Sequence, residues 1–357
     1  MKIGVVAPYT NACPPHAYGG ESFFWGIADT LGKMGHEIHL FAPGGSKIPF
    51  NGYLHYIMGT EKGRIDYGKE VWVEREYHNL LMDMDVVWSC SLDHIESERL
   101  YHLYGKRNIV NTINGRCYYM PRPPFNVVTG SLAWQRDANQ HGLNTEMVYY
   151  GIDTSFYTVG DKNFKERGQW YLWLSRFHPD KGLDMALDMA EWLGIKLKVA
   201  GSMNFADHAM YGKGYIERIS KMDNVEYVEL PMDSTHHEAK RELYRNAKAF
   251  LYPVQYFECF GMVVVEAMAC GCPVITTANG AMPELVENGR SGFICHTKED
   301  FTHALQKLIP TYNSSSSLHK GFNIWEGARQ QAEKFSWEES AKGYEKLFND
   351  VINGKQW

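Results

Sequence analysis

Short apolar runs recur along the chain at strand length, and stretches of helical periodicity fall between them. The first run, Ile3 to Ala7, stops at Pro8 and reads as a buried strand. After the glycine pair Gly19-Gly20 a helical stretch runs from Ser22 to about Met34. It ends at Gly35, the residue type that closes helices in the left-handed conformation. Glu37 to Ala42 (EIHLFA) is the next strand. This order predicts a βαβ unit, hence a parallel sheet with right-handed crossovers. Further strands are predicted at Asp85 to Trp88, Asn108 to Thr112, Asn126 to Val128 and Met147 to Tyr149.

A second series opens at Trp170. Its predicted strands are Trp170 to Leu174, Lys196 to Ala200, Val225 to Val228, Ala249 to Tyr252, Pro273 to Thr276 and Gly292 to Ile294. Its predicted helices are Leu183 to Leu193, Tyr215 to Met222, Glu238 to Asn246, Met262 to Ala269 and Phe301 to Leu308. Between the series, Gly151 to Gln169 shows no period and marks a domain boundary. The expectation is an α/β protein with two doubly wound, Rossmann-like domains, 1–150 and 151–335, facing a shared cleft. Ligands then bind at the carboxyl ends of the strands. A last segment, 336–357, is expected to be a helix packing back toward the first domain. Ser336 is its N-cap, and Glu339 completes a capping-box pattern. The serine run Ser314 to Ser317 is expected to be a solvated loop.

Composition narrows the class by exclusion. Hydrophobic content of 44% and charged content of 22% suit a globular protein, and a net charge of -6 argues against broad nucleic-acid binding. No apolar run approaches the roughly 20 residues that span a bilayer, and the N-terminus lacks the features of a signal peptide. Acidic and basic residues nearly balance through residue 150, so attraction to a membrane surface is expected to be weak. The seven cysteines are scattered and odd in number, which disfavours a disulfide framework. The histidines show no metal-ligand spacing. A cytoplasmic protein with buried thiols, no protein-bound metal and no bound cofactor is expected.

The chemistry concentrates between Pro253 and Phe293. Glu258 and Glu266 stand eight residues apart with Phe260-Gly261 between them, and a helix is predicted from about Met262. A helix start offers free N–H groups and a positive dipole end, which suits a diphosphate. Gly261 lets the backbone come close to it. The two carboxylates then accept hydrogen bonds from hydroxyls at either end of such a ligand; the plainer alternative is two surface glutamates. In the segment Ser175-Arg176-Phe177-His178-Pro179-Asp180-Lys181-Gly182, Arg176 follows a strand directly and Lys181 opens the next helix. An arginine fork and a lysine point charge neutralise a leaving diphosphate without a metal. The glycine pair Gly19-Gly20 reads as a loop over the same ligand, although it is not the GxGxxG fingerprint.

Glu258-Cys259-Phe260-Gly261-Met262-Val263-Val264-Val265-Glu266 resembles the E-x7-E motif of the retaining glycosyltransferase family 4, which has the GT-B fold. The likeness continues through Ala267 to Ile275, Gly280 to Val286, Gly289 and Ser291 to Phe293. Ser175-Arg176 with Lys181-Gly182 is similar to the family's phosphate-binding segment, and Gly19-Gly20 and Phe335-Ser336-Trp337-Glu338 fit as well. The resemblance implies that Arg176 and Lys181 grip the donor diphosphate. It also implies that Glu266 binds the donor ribose, Glu258 touches the transferred sugar, and the backbone at Phe260, Gly261 and Met262 cradles phosphate and sugar. Gly20, beside Gly19, would approach the phosphates from the first domain.

Two positions depart from the family. Asn114 stands where a sugar-contacting histidine is frequent, and Tyr150 precedes Gly151 where the family prefers asparagine. Asn114 donates and accepts hydrogen bonds but carries no charge. An acceptor site is a further expectation for the aromatics and His16 between Tyr9 and Phe24, and for Arg116, Tyr118, Tyr119 and Arg122; packing is the alternative for each. The implied function is retaining transfer of a hexosyl unit from a nucleotide sugar, a UDP sugar in first place and a GDP sugar in second, to a carbohydrate or other hydroxylated acceptor. The rival readings are a sugar-nucleotide epimerase and a non-catalytic sugar-nucleotide-binding subunit.

Overall fold

The structure is a computed structural model. It describes residues 1–8, 11–14, 19–57, 68–91, 94–113, 115, 126–160, 168–203, 208–308 and 323–357. Asn114, Arg116, Tyr118, Tyr119, Arg122, Tyr9, His16 and the serine run Ser314 to Ser317 lie outside the described residues. The chain forms two compact units, one of Met1–Ile152 with Ser336–Trp357 and one of Asp153–Phe335.

The first unit begins with β1 (Lys2–Val6), α1 (Gly19–Lys33), β2 (Glu37–Pro43), β3 (Gly52–Ile57), α2 (Gly68–Asp83) and β4 (Val86–Ser89). It continues with α3 (Ile95–Tyr104), β5 (Ile109–Thr112), β6 (Val127–Thr129), α4 (Leu132–Gln140) and β7 (Thr145–Met147). All seven strands pair in parallel, in the order β3-β2-β1-β4-β5-β6-β7. Continuous apolar runs such as Ile3, Val5 and Val6 are what a strand covered on both faces requires, and these side chains are buried. Strand β7 lies two residues earlier than its apolar run suggests. The glycine pair is not a loop but the first turn of α1, where N–H groups lack intrahelical partners anyway and glycine costs little. Phe23 stacks on Tyr150 and Phe24 meets Trp88 edge-on, so these two aromatics are core.

The second unit runs β8 (Tyr171–Leu174), α5 (Leu183–Leu193), β9 (Leu197–Gly201), α6 (His208–Ile219), β10 (Val225–Glu229) and α7 (His236–Asn246). It then runs β11 (Phe250–Tyr252), α8 (Met262–Ala269), β12 (Val274–Thr277), α9 (Met282–Leu285), β13 (Gly292–Cys295), α10 (Lys298–Lys307) and α11 (Ile324–Ala332). Its six parallel strands follow the order β10-β9-β8-β11-β12-β13. The sheet therefore reverses direction between β8 and β11, a topological switch point where doubly wound sheets bind ligands. Tyr171, Trp173, Leu183, Leu187, Val199 and Leu251 fill the core on one face of the sheet.

The chain returns to the first unit with α12 (Trp337–Ile352), which packs on α1, β4 and β5. Ser336 caps it by accepting from Glu339 N–H. The Glu339 carboxylate pairs with Lys342 instead of closing the capping box. A Cβ at Gly26 of α1 would fall 2.1 Å from the Trp337 ring, so that glycine makes the notch in which the ring sits. No helix among the described residues is long and apolar enough to cross a membrane.

Candidate nucleotide-sugar site

Of the residues singled out from the sequence, Arg176, Lys181, Glu258, Phe260, Gly261, Met262 and Glu266 lie in the second unit, around its switch point; Gly19 and Gly20 belong to the first unit, and Asn114 lies outside the described residues. Strand β8 ends at Leu174, and the chain passes Arg176 and makes a 3-10 turn at Pro179–Lys181 before α5 starts. Lys181 thus precedes the helix instead of opening it, with its carbonyl accepting from Trp173 Nε1 at 3.1 Å. The neighbouring strand β11 ends at Tyr252, and the segment to Glu258 is pinned on both sides. Gln255 N–H donates to Asp180 O at 2.8 Å, and Thr277 Oγ1 and Asn279 Nδ2 donate to Val254 O at 2.6 and 2.8 Å. Gly182 sits at φ +73°, and a Cβ there would fall 1.9 Å from Pro253 O. The two strand ends are therefore locked together through backbone.

Lys181 is buried, and its ammonium lies 2.8 Å from Glu258 Oε2 and 2.7 Å from the Tyr256 hydroxyl. Tyr252 donates to the same Oε2 at 2.7 Å, and Tyr256 donates to Oε1 at 2.8 Å. Glu258 and Lys181 are thus not independent surface charges but one neutralised buried pair. Burial pushes the Glu258 carboxyl up, but Lys181, by charge and hydrogen bond, and the two tyrosines outweigh it and hold the group below the usual range. Arg176 is exposed beside this pair; its charge opposes the rise that burial and Glu258 impose on the Tyr256 hydroxyl.

Gly261, at φ +96°, is the N-cap of α8, a conformation open to glycine and closed to most side chains. Helix α8 is apolar except for Glu266, which is 4% exposed. Its carboxylate meets Lys240 Nζ at 2.6 Å and the Tyr244 hydroxyl at 3.1 Å, both from α7. Burial raises this carboxyl, and Lys240, His237 and Tyr244 bring it net below its ordinary value. Tyr252, Tyr256, Lys240 and Tyr244 are not among the residues marked from the sequence. The spacing of Lys240 and Tyr244, one turn apart on a helix, is the signal that places two polar groups on one face.

Both carboxyls have depressed folded-state pKa values. The stability they contribute is fully present above the pKa of an unfolded glutamate, about 4.3. It is lost as pH falls through the lower folded values. Denaturant unfolding between about pH 7 and pH 3 is therefore expected to show stability falling below about pH 4.3. The loss should be smaller in the double variant Lys240→Met/Glu266→Gln; equal acid loss in both proteins contradicts the assignment.

Residues 159–321 match the family model described as glycosyl transferases group 1. An uncharacterized glycosyltransferase of Methanocaldococcus jannaschii is 29% identical over 245 residues, 68% of this chain and 64% of that protein. The D-inositol 3-phosphate glycosyltransferase of Mycobacteroides abscessus is 28% identical over 215 residues, 57% of this chain and 46% of its own length. The chain thus spans about half to two thirds of the curated relatives it matches. Among solved structures, Anabaena HepE in complex with UDP and glucose superposes with a TM-score of 0.73 at 18% identity, covering 98% of this chain and 99% of that one. Two parallel doubly wound units and these neighbours define the fold as GT-B, and the match to the group 1 glycosyl transferase model lies within residues 159–321.

Proposed function

We propose that the chain is a retaining glycosyltransferase that moves a hexosyl unit from a nucleotide-diphosphate sugar to an acceptor hydroxyl without a metal ion. The observation that carries this reading is the buried Lys181–Glu258 pair beside Arg176 and the α8 N-terminus, at the switch point of a group 1 glycosyl transferase unit. Lysine has three N–H donors. Two serve Glu258 and Tyr256, and the third serves a phosphate oxygen. A carboxylate oxygen has two lone pairs. Glu258 Oε1 accepts from Tyr256 and keeps capacity for a sugar hydroxyl.

In this reading Arg176, Lys181 and the N–H groups at Phe260, Gly261 and Met262 stabilise the leaving diphosphate, where negative charge develops as the glycosidic bond breaks. Glu266 binds the ribose. Gly19, Gly20 and Asn114 are donor-contact residues in this reading only by the resemblance to glycosyltransferase family 4. The acceptor hydroxyl attacks the face the diphosphate leaves and passes its proton to a phosphate oxygen, so no protein base is needed. UDP is the assigned nucleotide, supported by the HepE complex with UDP and glucose.

The test is a thermal-shift screen of UDP, GDP and ADP. A nucleotide at 100 times its dissociation constant stabilises by about 2.7 kcal/mol. Arg176 is exposed, so Arg176→Ala should keep the wild-type midpoint without ligand while losing about 10–100-fold in affinity, as removal of a charge-assisted contact predicts. No response to any nucleotide, with or without magnesium, sinks the donor-site reading. An inverted anomeric linkage in the product rules out retention, and activity abolished by EDTA rules out a metal-free reaction.

A further inference from the structure

Helix α7 carries His237, Lys240 and Tyr244 at positions i, i+3 and i+7, one face of a helix. That face converges on a single carboxylate, Glu266 of α8, through Lys240 at 2.6 Å and Tyr244 at 3.1 Å. Behind them lies Tyr157, whose hydroxyl is 2.9 Å from His237 Nδ1 and whose pKa is raised by burial first and then by the Glu266 charge. Cys270, at the end of α8, and Asp153 are further titratable groups close to this cluster. From α11 the Arg329 guanidinium also reaches the region, but it bonds the carbonyls of Thr154, Tyr157 and Ala269 and the Glu333 carboxylate. Lys240, itself 7% exposed, is therefore the cation that faces Glu266 directly.

We propose that Lys240 is a positioning residue of the nucleotide site, anchoring the Glu266 carboxylate in its charged form and in one orientation so that it accepts from the ribose hydroxyls. This inference rests on the donor-site reading above. Burial alone raises the Glu266 carboxyl, and Lys240 is the largest of the influences that lower it. Removing the ammonium takes away the largest influence opposing burial and leaves the weaker ones of His237 and Tyr244. A protonated carboxyl then donates where the ribose needs an acceptor. The sign follows: nucleotide affinity in a Lys240 variant is weakest at low pH and recovers as pH rises and the carboxyl ionises.

The experiment is calorimetric titration of the full chain with UDP, GDP and ADP from about pH 5.5 to about pH 8.5. Each variant is compared with wild type at the same pH, so that titration of the diphosphate itself cancels. Lys240→Met should bind about 10–100-fold more weakly near pH 6 and regain affinity toward the alkaline end, as loss of a charged acceptor requires. Lys240→Arg, which keeps the charge, should stay within about threefold of wild type at every pH. Unchanged binding in Lys240→Met, or an equal loss at every pH in a protein with native circular dichroism, overturns the proposal. Should Lys240→Met fail to fold, Lys240→Gln is read against Lys240→Arg in the same way. If wild type binds none of the three nucleotides, the donor-site reading falls and this one with it. If wild type binds and Glu266→Gln weakens binding but Lys240→Met does not, only this inference falls.

Discussion

Lys181→Met is expected to destabilise the second unit by about 3–5 kcal/mol and to remove most transfer activity. The substitution deletes the only cation within ion-pair distance of Glu258 among the described residues and strands a buried carboxylate. Breaking one side of a buried pair is far more damaging than losing both. The double variant Lys181→Met/Glu258→Gln should therefore recover much of the stability while staying inactive. Denaturant midpoints and transfer assays on the two proteins separate the effects. A wild-type midpoint in Lys181→Met means that Glu258 is not held by this pair, and recovery of activity in the double variant removes both residues from the proposed chemistry.

Gly182→Ala is expected to be nearly as damaging, by more than about 3 kcal/mol, through backbone strain and steric conflict together. At φ +73° a side chain costs roughly 1–2 kcal/mol. Here its Cβ also falls 1.9 Å from Pro253 O, so the β11 loop has to move. That movement pulls Glu258 away from Lys181, and activity falls with stability. Gly194→Ala is the matched control. It has a similar φ of +62° but nothing within 4 Å of the added carbon, so it carries the strain without the collision. Equal midpoint shifts for the two variants contradict the close approach.

The strand–helix alternation was legible wherever burial is two-sided. Helices α5 and α8 have the limits that their apolar runs predict, and the strands of the second unit begin and end within one residue of theirs. Strand β3 was not legible, because it is an edge strand. Its sequence GYLHYI leaves Tyr53 and Tyr56 more than half exposed and shows no clean buried run. Helix α6 starts at His208, well before the predicted Tyr215. A Cβ at Gly212 would fall 2.3 Å from Met203 Sδ, so close packing explains that glycine inside the helix. At the site, the residue types and the helix N-terminus were legible as local pattern. The pairings Lys181–Glu258 and Lys240–Glu266 were not, since each joins residues on different elements. Only the folded sheet converts two exposed-looking glutamates into buried, neutralised ones.

The return of residues 336–357 to the first unit orders the events of synthesis. A ribosome releases the chain from its N-terminus, so β1 to β7 emerge long before α12 exists. Until then α1 presents an empty notch at Gly26, and Asn126 lacks its backbone partner Trp357. The second unit, begun later, ends at Phe335 and so is fully emerged before α12 is made. The half that is translated first is thus the half that finishes last, and a chain shortened before Trp337 leaves the ribosome without the helix that packs on α1, β4 and β5.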